Sequence, residues 1–307
     1  MIDIVIATYN PNQFLDEQID SILSQSYEHK ISRIIISDDN SISNDIIFRN
    51  MSKDNRIEYH LNKSGLSGPS ANFSYGLAQT NARYIMTCDQ DDVWLCDKIE
   101  LSLTKMLAID VDGLPKLIGT NSTLCNEKGI SLKTDYLQKM NKNPAESLDP
   151  LSLLFKNAVP GCTMIFNRKL LDVSMPIPKE AIMHDWWLLS NALLYNGFYY
   201  INKSTMLYRQ HESNCIGARK RSLLDIMFNG GVISATQRYR LLFDKIIVQV
   251  GLLDSSKSQS IDLSKAIIDS RKYKSMPFFS KLFFFMRYNK SEKLKKLMLM
   301  LSLVMYR

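Results

Sequence analysis

Short apolar segments alternate with helical segments in the N-terminal part of the chain, and each apolar segment ends in a cluster of polar residues. Residues 2–7, 34–36 and 84–86 are the clearest of these segments. The residues between them show the apolar spacing of amphipathic helices, for example from Phe14 to Leu23. Strands that alternate with helices predict an α/β fold with a mostly parallel sheet flanked by helices. In such sheets ligands bind beyond the carboxyl ends of the strands, where the polar clusters stand.

The rest of the chain predicts a helical extension. Residues 1–216 contain the strand and helix pattern together with all the polar clusters, and we predict one α/β domain there. Residues 217–307 have mainly helical patterns, and we predict a C-terminal helical extension that packs on the domain or extends from it. The uncharged stretch 186–202 contains several Asn, Ser and Gly residues, which argues against a membrane-spanning helix.

The positive charge is confined to one end of the chain. The net charge is +7, but residues 271–307 contain ten Lys or Arg and one acid, which makes +9 and leaves −2 for residues 1–270. A nucleic-acid-binding protein would carry its basic residues over the α/β body, so this distribution argues against a nucleic-acid partner. A basic terminal segment is attracted equally by the anionic surface of a membrane.

The cysteines and the N-terminus favour a cytoplasmic protein. The five cysteines are widely spaced and include no CxxC pair, which argues against a disulfide framework and a structural zinc site. No basic segment precedes the first apolar run, and that run is too short for a signal peptide. We therefore expect a reducing cytoplasmic environment.

An acidic cluster follows the apolar segment at 84–86. Asp89, Asp91 and Asp92 lie within four residues, and three carboxylates so close together repel one another unless a cation balances them. Oxygen ligands of this kind suit Mg²⁺ or Mn²⁺, which could bridge to a diphosphate. The alternative is an exposed acidic turn that caps the following helix.

Two other strand ends predict a nucleotide cradle. The first carries Thr8, Tyr9 and Asn10, and the second carries Asp38 and Asp39. A tyrosine ring can stack on a base while a neighbouring carboxylate accepts the imide N–H of uracil or thymine. Both segments are also common turn formers, which is the alternative interpretation.

A third motif, His184-Asp185-Trp186-Trp187, leads into an apolar helix. An aspartate beside a histidine and two indole rings suits a general base in a sugar pocket, with an aromatic wall for the sugar. Asp185 could equally be a helix N-cap.

A fourth motif contains Arg209 and His211. A guanidinium and an imidazole this close suit contact with a diphosphate or a metal ion. The alternative is a strand end that leads into a surface loop.

In sequence order, TYN, SDDNS, CDQDDVW, NAVPGCTMIFNR, HDWW and YRQH resemble the motifs of family-2 glycosyltransferases with the GT-A fold. The similarity spans residues 1–217 and points to the bacterial branch that includes rhamnosyltransferases of surface-polysaccharide assembly. The resemblance implies an inverting enzyme that uses Mn²⁺ or Mg²⁺ and a dTDP- or UDP-linked sugar, with rhamnose as the leading guess. It also implies a saccharide or polyprenyl-diphosphate-linked acceptor.

The resemblance also assigns roles to individual residues. Asp185 matches the catalytic base, and Asp89 and Asp91 match the family's DxD motif. The donor nucleotide would contact Thr8, Tyr9, Asn10, Asp38, Asp39, Asn72, Asp89 and Arg209. The metal ion would be bound by Asp91, His211 and above all Asp92. The sugar pocket would include His184, Trp186 and Trp187. One departure is Ala71, where many relatives carry a basic residue, so the diphosphate charge must be balanced by the metal, by Arg209 or His211, or by the basic segment 219–221.

The final segment, residues 272–307, combines phenylalanines with basic residues, which is typical of a helix that lies in a membrane interface. The alternatives are a core helix with a solvated basic face or an oligomer contact. We therefore expect a peripheral protein at the inner face of the cell membrane. A catalytically inactive scaffold of the same fold remains an alternative function, and a nucleotidyltransferase is disfavoured because a Gly-rich, basic phosphate loop is missing near the N-terminus.

Overall fold

The computed structural model describes residues 1–139, 148–211 and 231–288. The strands are β1 Ile2–Thr8, β2 Ile31–Asp38, β3 Ile57–Leu61, β4 Tyr84–Asp89, β5 Val93–Trp94, β6 Leu117–Cys125, β7 Ser131–Asp135, β8 Met164–Asn167 and β9 Phe198–Arg209. The helices are α1 Phe14–Leu23, α2 Asp45–Met51, α3 Pro69–Ala78, α4 Lys98–Ile109, α5 Tyr136–Lys139, α6 Pro150–Phe155, α7 Arg168–Ser174, α8 His184–Leu194, α9 Gly231–Leu252, α10 Ile261–Lys272 and α11 Phe278–Tyr288. Short 3-10 turns cover Glu28–Lys30, Gly161–Thr163, Ser255–Lys257 and Tyr273–Ser275.

The described strands form one sheet in the order β3-β2-β1-β4-β8-β6-β9-β5, with β7 paired to the side of β6. The first four strands in this order are parallel, as the sequence predicts. Beyond β4 the sheet is mixed, because β8 runs antiparallel to both of its neighbours. The parallel half brings the carboxyl ends of β1, β2 and β4 to one edge.

Alternate residues of the central strands supply two cores, one on each face of the sheet. In β1, Val5 packs with α3, α8 and the C-terminal helices, whereas Ile4 and Ile6 pack with α1 and α4. This division follows from the period of two along a strand. Since both faces are covered, β1 is apolar throughout rather than alternating.

Helix α3 lies unusually close to the sheet because of Gly76. A Cβ atom at this position would lie 2.7 Å from Val5 Cγ1 and 2.9 Å from Ser37 Cβ. Only glycine therefore allows this separation between helix and strands. The close approach brings the start of α3 to the ends of β1 and β2.

The helices α9, α10 and α11 share a core with the sheet. Phe243 of α9 and Phe284 of α11 belong to the same buried cluster as Val5. The helical character predicted for the extension is therefore present in its described part, and the helices pack on the domain. The predicted boundary at 216 falls outside the described residues, as do residues 289–307. No helix within the described ranges has the length and hydropathy needed to cross a membrane.

Candidate active site

A cleft of about 1410 Å³ opens beyond the carboxyl ends of β1, β2 and β4. It is lined by the loops after these strands, by α9 and by residues of the segment 155–161. The first turn of α8 contributes to its wall as well. The predicted polar clusters therefore meet in one place, as expected for strand ends of a parallel sheet.

A buried hydrogen-bond network around Asp38 fixes the ends of β1 and β2. Thr8 Oγ1 donates to Asp38 Oδ1 over 3.0 Å, and the backbone N–H of Ser41 donates to Asp38 Oδ2 over 2.9 Å. Asp38 is fully buried and is not part of the cleft wall, whereas Thr8 is. The structure thus corrects the expectation that Asp38 contacts the donor nucleotide: its carboxylate holds the loop instead.

Asn72, at the start of α3, connects that helix to both strands. Its amide donates to the carbonyl oxygens of Thr8 over 3.0 Å and Ser37 over 2.8 Å, and Ser37 Oγ donates back to Asn72 Oδ1 over 2.7 Å. The side chain is buried, although the residue borders the cleft. Asn72 therefore positions the strand ends.

Tyr9 and Asn10 form the outer rim of the cleft. The Tyr9 side chain is 59% exposed, and its backbone N–H donates to Gln90 Oε1 over 2.9 Å. Asn10 has a φ of 45°, in the left-handed region that asparagine tolerates, and its Oδ1 accepts from Ile42 N–H over 2.9 Å. The Tyr9 ring is accessible for stacking, while the Asn10 side chain holds the neighbouring loop.

Asp39 lies in the cleft wall between these loops. Its Oδ1 accepts from Asn62 Nδ2 over 2.9 Å, and its Oδ2 accepts from Gly68 N–H over 2.6 Å. Each carboxylate oxygen has a second lone pair, so Asp39 can still accept from a ligand. This is the position that the sequence predicts for the partner of a base imide.

Asp91 and His211 meet at the edge of the cleft. The distance from His211 Nε2 to Asp91 Oδ2 is 2.8 Å, and both residues border the cleft together with Asp89. The two groups are 120 positions apart in sequence, and β9 brings them together. Two of the predicted metal ligands therefore lie next to each other at the cleft.

Asp92 lies behind the acidic loop. It is fully buried, and its Oδ1 accepts from the backbone N–H of Arg209 over 3.1 Å. Its Oδ2 has no hydrogen-bond partner among the described residues. Burial, followed by the charges of Asp91 and Asp89, raises the pKa of Asp92 well above its ordinary value.

Arg209 does not reach the cleft. Its guanidinium is buried, pairs with Glu17 Oε2 at 2.5 Å and donates to the carbonyl oxygen of Asp91 over 2.8 Å. It also packs over the Phe14 ring at 4.3 Å. The expectation that Arg209 contacts the donor is thus corrected: its charge is engaged behind the acidic loop, where it holds Asp91 in place.

The acidic loop fits a hard divalent cation. Burial and, to a lesser extent, the neighbouring charge of Asp91 raise the pKa of Asp89 to about 7, and a bound cation would favour the ionised form of this carboxylate. Asp89, Asp91 and His211 offer ligand atoms towards the cleft, whereas Asp89, Asp92 and Cys162 have ligand atoms within 4.8 Å of one another on the inner side. Carboxylate oxygens and imidazole suit Mn²⁺, and carboxylates alone suit Mg²⁺.

Asp185 lies at the start of α8, against the loop at Gly161. Its Oδ1 accepts from Trp186 N–H over 2.6 Å and its Oδ2 from Gly161 N–H over 3.0 Å. A Cβ at Gly161 would lie 3.1 Å from Asp185 Cβ, so glycine permits this contact. Burial raises the pKa of Asp185 to about 6, and the two N–H groups limit the rise. The result is a carboxylate that is ionised at neutral pH and can still accept a proton.

His184 is buried next to Asp185. Its ring stacks on Phe73 with 3.9 Å between centroids, and neither ring nitrogen has a hydrogen-bond partner among the described residues. Burial lowers the pKa of His184 to about 3, so the imidazole is neutral. The ring borders the cleft, but its nitrogens are buried, so its contact there is through carbon atoms.

The two tryptophans after Asp185 point in different directions. Trp186 borders the cleft and its Nε1 donates to the Leu153 carbonyl over 2.9 Å. Trp187 Nε1 donates to the Ser174 carbonyl over 2.8 Å, and its ring lies in the core near α7. The sequence predicts both indole rings in the sugar pocket; Trp186 borders the cleft, whereas Trp187 does not, which corrects the expectation for Trp187.

Several residues at the cleft were not predicted from the sequence. Gln90 joins the acidic loop to Tyr9, and Lys156 and Tyr136 border the cleft. Burial raises the pKa of Tyr136 above its ordinary range. The NAVPG motif signals the Gly161 loop, but no local pattern indicates that α9 completes the cleft.

Similarity to known proteins identifies the family of this chain. The sequence model of glycosyl transferase family 2 matches residues 3–170, which is more than half of the chain. The chain belongs to this family. The dTDP-rhamnosyl transferase RfbG of Shigella flexneri is 31% identical over 233 residues, covering 69% of this glycosyltransferase and 74% of RfbG. An Escherichia coli protein, UDP-Glc:alpha-D-GlcNAc-diphosphoundecaprenol beta-1,3-glucosyltransferase WfgD, is 26% identical over 188 residues, covering 61% of this chain and 68% of WfgD.

A solved structure shows the same fold. The mannosyltransferase PcManGT from Pyrobaculum calidifontis, in complex with GDP-Man and Mn²⁺, matches with a TM-score of 0.55 and 12% identity, covering 100% of this chain and 81% of PcManGT. The family-2 and GT-A expectations are therefore confirmed. At this identity the likeness concerns the fold alone.

Proposed function

We propose that this glycosyltransferase transfers a sugar, with rhamnose as the leading candidate, from a dTDP- or UDP-linked donor to a saccharide acceptor in cell-surface polysaccharide synthesis. The observation that carries the proposal is the meeting of Asp185 and the acidic loop in one cleft. A base for the acceptor and oxygen ligands for a diphosphate-bound cation are the two parts that such a reaction needs. The similarity to RfbG supports rhamnose as the sugar.

In the proposed reaction Asp185 takes the proton of an acceptor hydroxyl while that oxygen attacks the anomeric carbon. The bond from this carbon to the diphosphate oxygen breaks, the nucleoside diphosphate leaves, and the configuration inverts. Asp185 suits this role because its raised pKa combines ionisation at neutral pH with affinity for a proton. Hydrogen bonds from the backbone N–H groups of Trp186 and Gly161 fix the orientation of the carboxylate.

The donor would occupy the strand-end side of the cleft. We propose that Asp39 accepts the imide N–H of the base and that the exposed Tyr9 ring stacks on it. Asp91 and His211, with Asp89, would hold Mn²⁺ or Mg²⁺ against the diphosphate, and this cation would stabilise the leaving group as a Lewis acid. Arg209 contributes by fixing the Asp91 backbone. Trp186 offers an apolar surface to a sugar ring.

The choice of donor is tested by calorimetry with dTDP, UDP and GDP in the presence of Mn²⁺ or EDTA. We expect the two pyrimidine nucleotides to bind better than GDP, and Asp39→Ala to remove that preference, because it removes the imide acceptor. An Asp45→Ala variant, changed at the start of the exposed helix α2, is the matched control. Equal binding of GDP and UDP by the native chain would contradict the proposed cradle.

Inversion is tested with the donor that binds. The first-formed anomer of the transferred or released sugar, followed by NMR before mutarotation, should have the configuration opposite to that in the donor. Retention of configuration would exclude single displacement by an acceptor activated at Asp185.

We also propose that the protein attaches peripherally to the inner face of the cell membrane. On α11, the exposed side chains Phe279, Phe283 and Met286 are spaced by four and three residues and are 76%, 67% and 55% exposed. This spacing places them on one face, and the opposite face, with Phe284 and Phe285, is buried. An apolar stripe beside basic side chains suits a membrane interface.

Vesicle flotation tests the attachment. With anionic vesicles, Phe279→Ser/Phe283→Ser should float much less than the native chain, whereas Ile42→Ser/Val111→Ser, which changes exposed apolar residues elsewhere, should float like it. Equal flotation of both variants would contradict the role of α11.

A further inference from the structure

The first residue of α1 contacts two side chains of the segment that ends β9. The Phe14 ring and the His211 ring are 5.6 Å apart between centroids and tilted by 34°. The Arg209 guanidinium lies over the same Phe14 ring, with 4.3 Å from its central carbon to the ring centroid. These distances are those of an aromatic pair and of a cation–π contact. A single side chain of α1 therefore supports both the histidine and the arginine.

Glu17 adds a second contact from the same side of α1. It stands three positions after Phe14, so the two side chains are neighbours on one face of the helix. Its Oε2 pairs with the Arg209 guanidinium at 2.5 Å. The Arg209 side chain is fully buried, whereas the Glu17 side chain is 49% exposed. A carboxylate that reaches in from the surface thus balances a buried positive charge.

The guanidinium of Arg209 connects α1 to the acidic loop. Its Nη2 binds Glu17, and its Nε donates to the carbonyl oxygen of Asp91 over 2.8 Å. Its Nη1 donates to the carbonyl oxygen of Glu127, in the turn between β6 and β7. Because the donors of a planar guanidinium have fixed directions, the position of one partner constrains the others. The pair with Glu17 therefore helps to set where the Asp91 backbone lies.

The contacts from α1 converge on Asp91 and His211. His211 Nε2 lies 2.8 Å from Asp91 Oδ2, and both residues border the cleft. Phe14 packs against the imidazole, and Arg209 holds the backbone of the aspartate. The start of α1 thus acts on both members of this pair from behind, by packing on one and by hydrogen bonding to the other through an intermediate side chain.

The charge of Arg209 matters to any cation at this place. A guanidinium directly behind the Asp91 carbonyl repels a divalent ion on the cleft side, and the repulsion is strong because the group is buried. Glu17 offsets this positive charge. Its loss would leave the guanidinium in place and raise the local potential, in addition to loosening the hydrogen bond to Asp91.

We propose that Phe14 and Glu17 are positioning residues for the cation site, Phe14 through the ring of His211 and Glu17 through Arg209. This inference rests on the proposed function, in which Asp91 and His211 bind Mn²⁺ or Mg²⁺. Contacts that orient metal ligands from behind typically change metal affinity about 10–100-fold when they are removed. The roles of both residues are therefore measurable in metal binding itself, without turnover.

The experiment measures how much Mn²⁺ contributes to nucleotide binding by the full chain. UDP affinity is determined by calorimetry at a fixed Mn²⁺ concentration and again in EDTA, and the ratio of the two affinities reports the cation. EPR of the free aqueous ion measures Mn²⁺ binding on the same samples. Phe14→Leu and Glu17→Gln should each lower the Mn²⁺ affinity about tenfold or more. UDP affinity in EDTA should stay at the native value, because Tyr9 and Asp39 are unchanged.

Two further variants separate positioning from general effects. Asp20→Asn removes the same charge from α1, at a residue that pairs with Lys53 at 2.6 Å and is 60% exposed, and should bind Mn²⁺ like the native chain. Phe14→Tyr keeps the aromatic ring and should restore most of the affinity lost in Phe14→Leu. Thermal melts check the fold, and Glu17→Gln changes a half-exposed side chain, so it tests the inference even if Phe14→Leu is unstable.

Native Mn²⁺ affinity in both Phe14→Leu and Glu17→Gln would overturn the inference and leave the proposed function in place. An equal loss in Asp20→Asn would reduce the effect of Glu17 to net charge, and an equal loss of UDP affinity in EDTA would indicate damage to the nucleotide side; either result would also overturn it. A native chain that binds no Mn²⁺, with the same UDP affinity in Mn²⁺ and in EDTA, would instead contradict the cation site of the proposed function.

Discussion

Replacing Asp185 by Asn should abolish catalysis while leaving the fold and the donor site intact. Burial raises the pKa of Asp185 from 3.8 to about 6, and a shift of about two units corresponds to about 3 kcal/mol of destabilisation of the ionised form. Asparagine carries no charge, so this destabilisation is absent in the variant. However, it places an NH₂ group against one of the two N–H donors, which loses a charge-assisted hydrogen bond of about 1.5–3 kcal/mol.

The gain from removing the buried charge and the loss of the hydrogen bond have opposite signs and similar size. The free energy of unfolding should therefore change by less than about 2 kcal/mol. The rate should fall by about 10²–10⁴-fold, the usual contribution of a general base. The assay combines nucleoside diphosphate release with Mn²⁺, calorimetric donor affinity and a thermal melt.

Asp185→Ala serves as the comparison, because it leaves the N–H groups of Gly161 and Trp186 without their acceptor. It should be as inactive as the Asn variant but less stable, by about 1–3 kcal/mol for each buried group. Turnover by Asp185→Asn above about a tenth of the native rate would refute the assignment of the base, since a general base contributes at least about a hundredfold.

Three further results are expected. With saturating Mn²⁺, native kcat/KM should be lost as the pH falls through about 6, because the raised pKa of Asp185 means that the base is protonated below that pH; a profile that is flat well below pH 6 would be inconsistent with this. Asp91→Asn should weaken Mn²⁺-dependent nucleotide binding in calorimetry more than Asp92→Asn does, since Asp91 borders the cleft and Asp92 is buried behind it. A larger loss of affinity in Asp92→Asn would place the cation on the inner side of the loop. Gly76→Ala should lower the free energy of unfolding by about 1–3 kcal/mol, because its Cβ would lie under 3.0 Å from side chains of β1 and β2; Gly251→Ala, with no neighbour closer than 3.6 Å, is the helical control in the same denaturant titration, and equal effects would contradict the packing argument.

The sequence predicts which strand-end residues meet at the cleft, because parallel strands bring their ends together. Asp39, Asp89 and Asp91 stand where apolar runs end, and alternation of strands with helices is enough to place them at one edge. The HDWW motif likewise predicts a helix start with Asp185 in its first turn.

The sequence does not predict where a long side chain finds its partner. Arg209 pairs with Glu17, which is 192 positions away, and the guanidinium is therefore taken from the cleft by a contact that no local pattern shows. Asp91 and Trp186 border the cleft, whereas their neighbours Asp92 and Trp187 do not, and no local pattern distinguishes the two members of each pair. The place of α9 in the cleft depends on tertiary packing through Phe243, which helical periodicity alone does not reveal.

The most direct test of the central claim is sugar transfer chemistry itself. The purified chain is incubated with dTDP-rhamnose and with a panel of UDP- and GDP-sugars, with Mn²⁺ or with EDTA, and released nucleoside diphosphate is measured for the native protein and for Asp185→Asn. The proposed function predicts metal-dependent release from one pyrimidine-linked donor, which is absent with EDTA and in the variant. No nucleoside diphosphate release from any donor, together with no nucleotide binding by calorimetry, would contradict the proposed function and favour an inactive scaffold of the same fold.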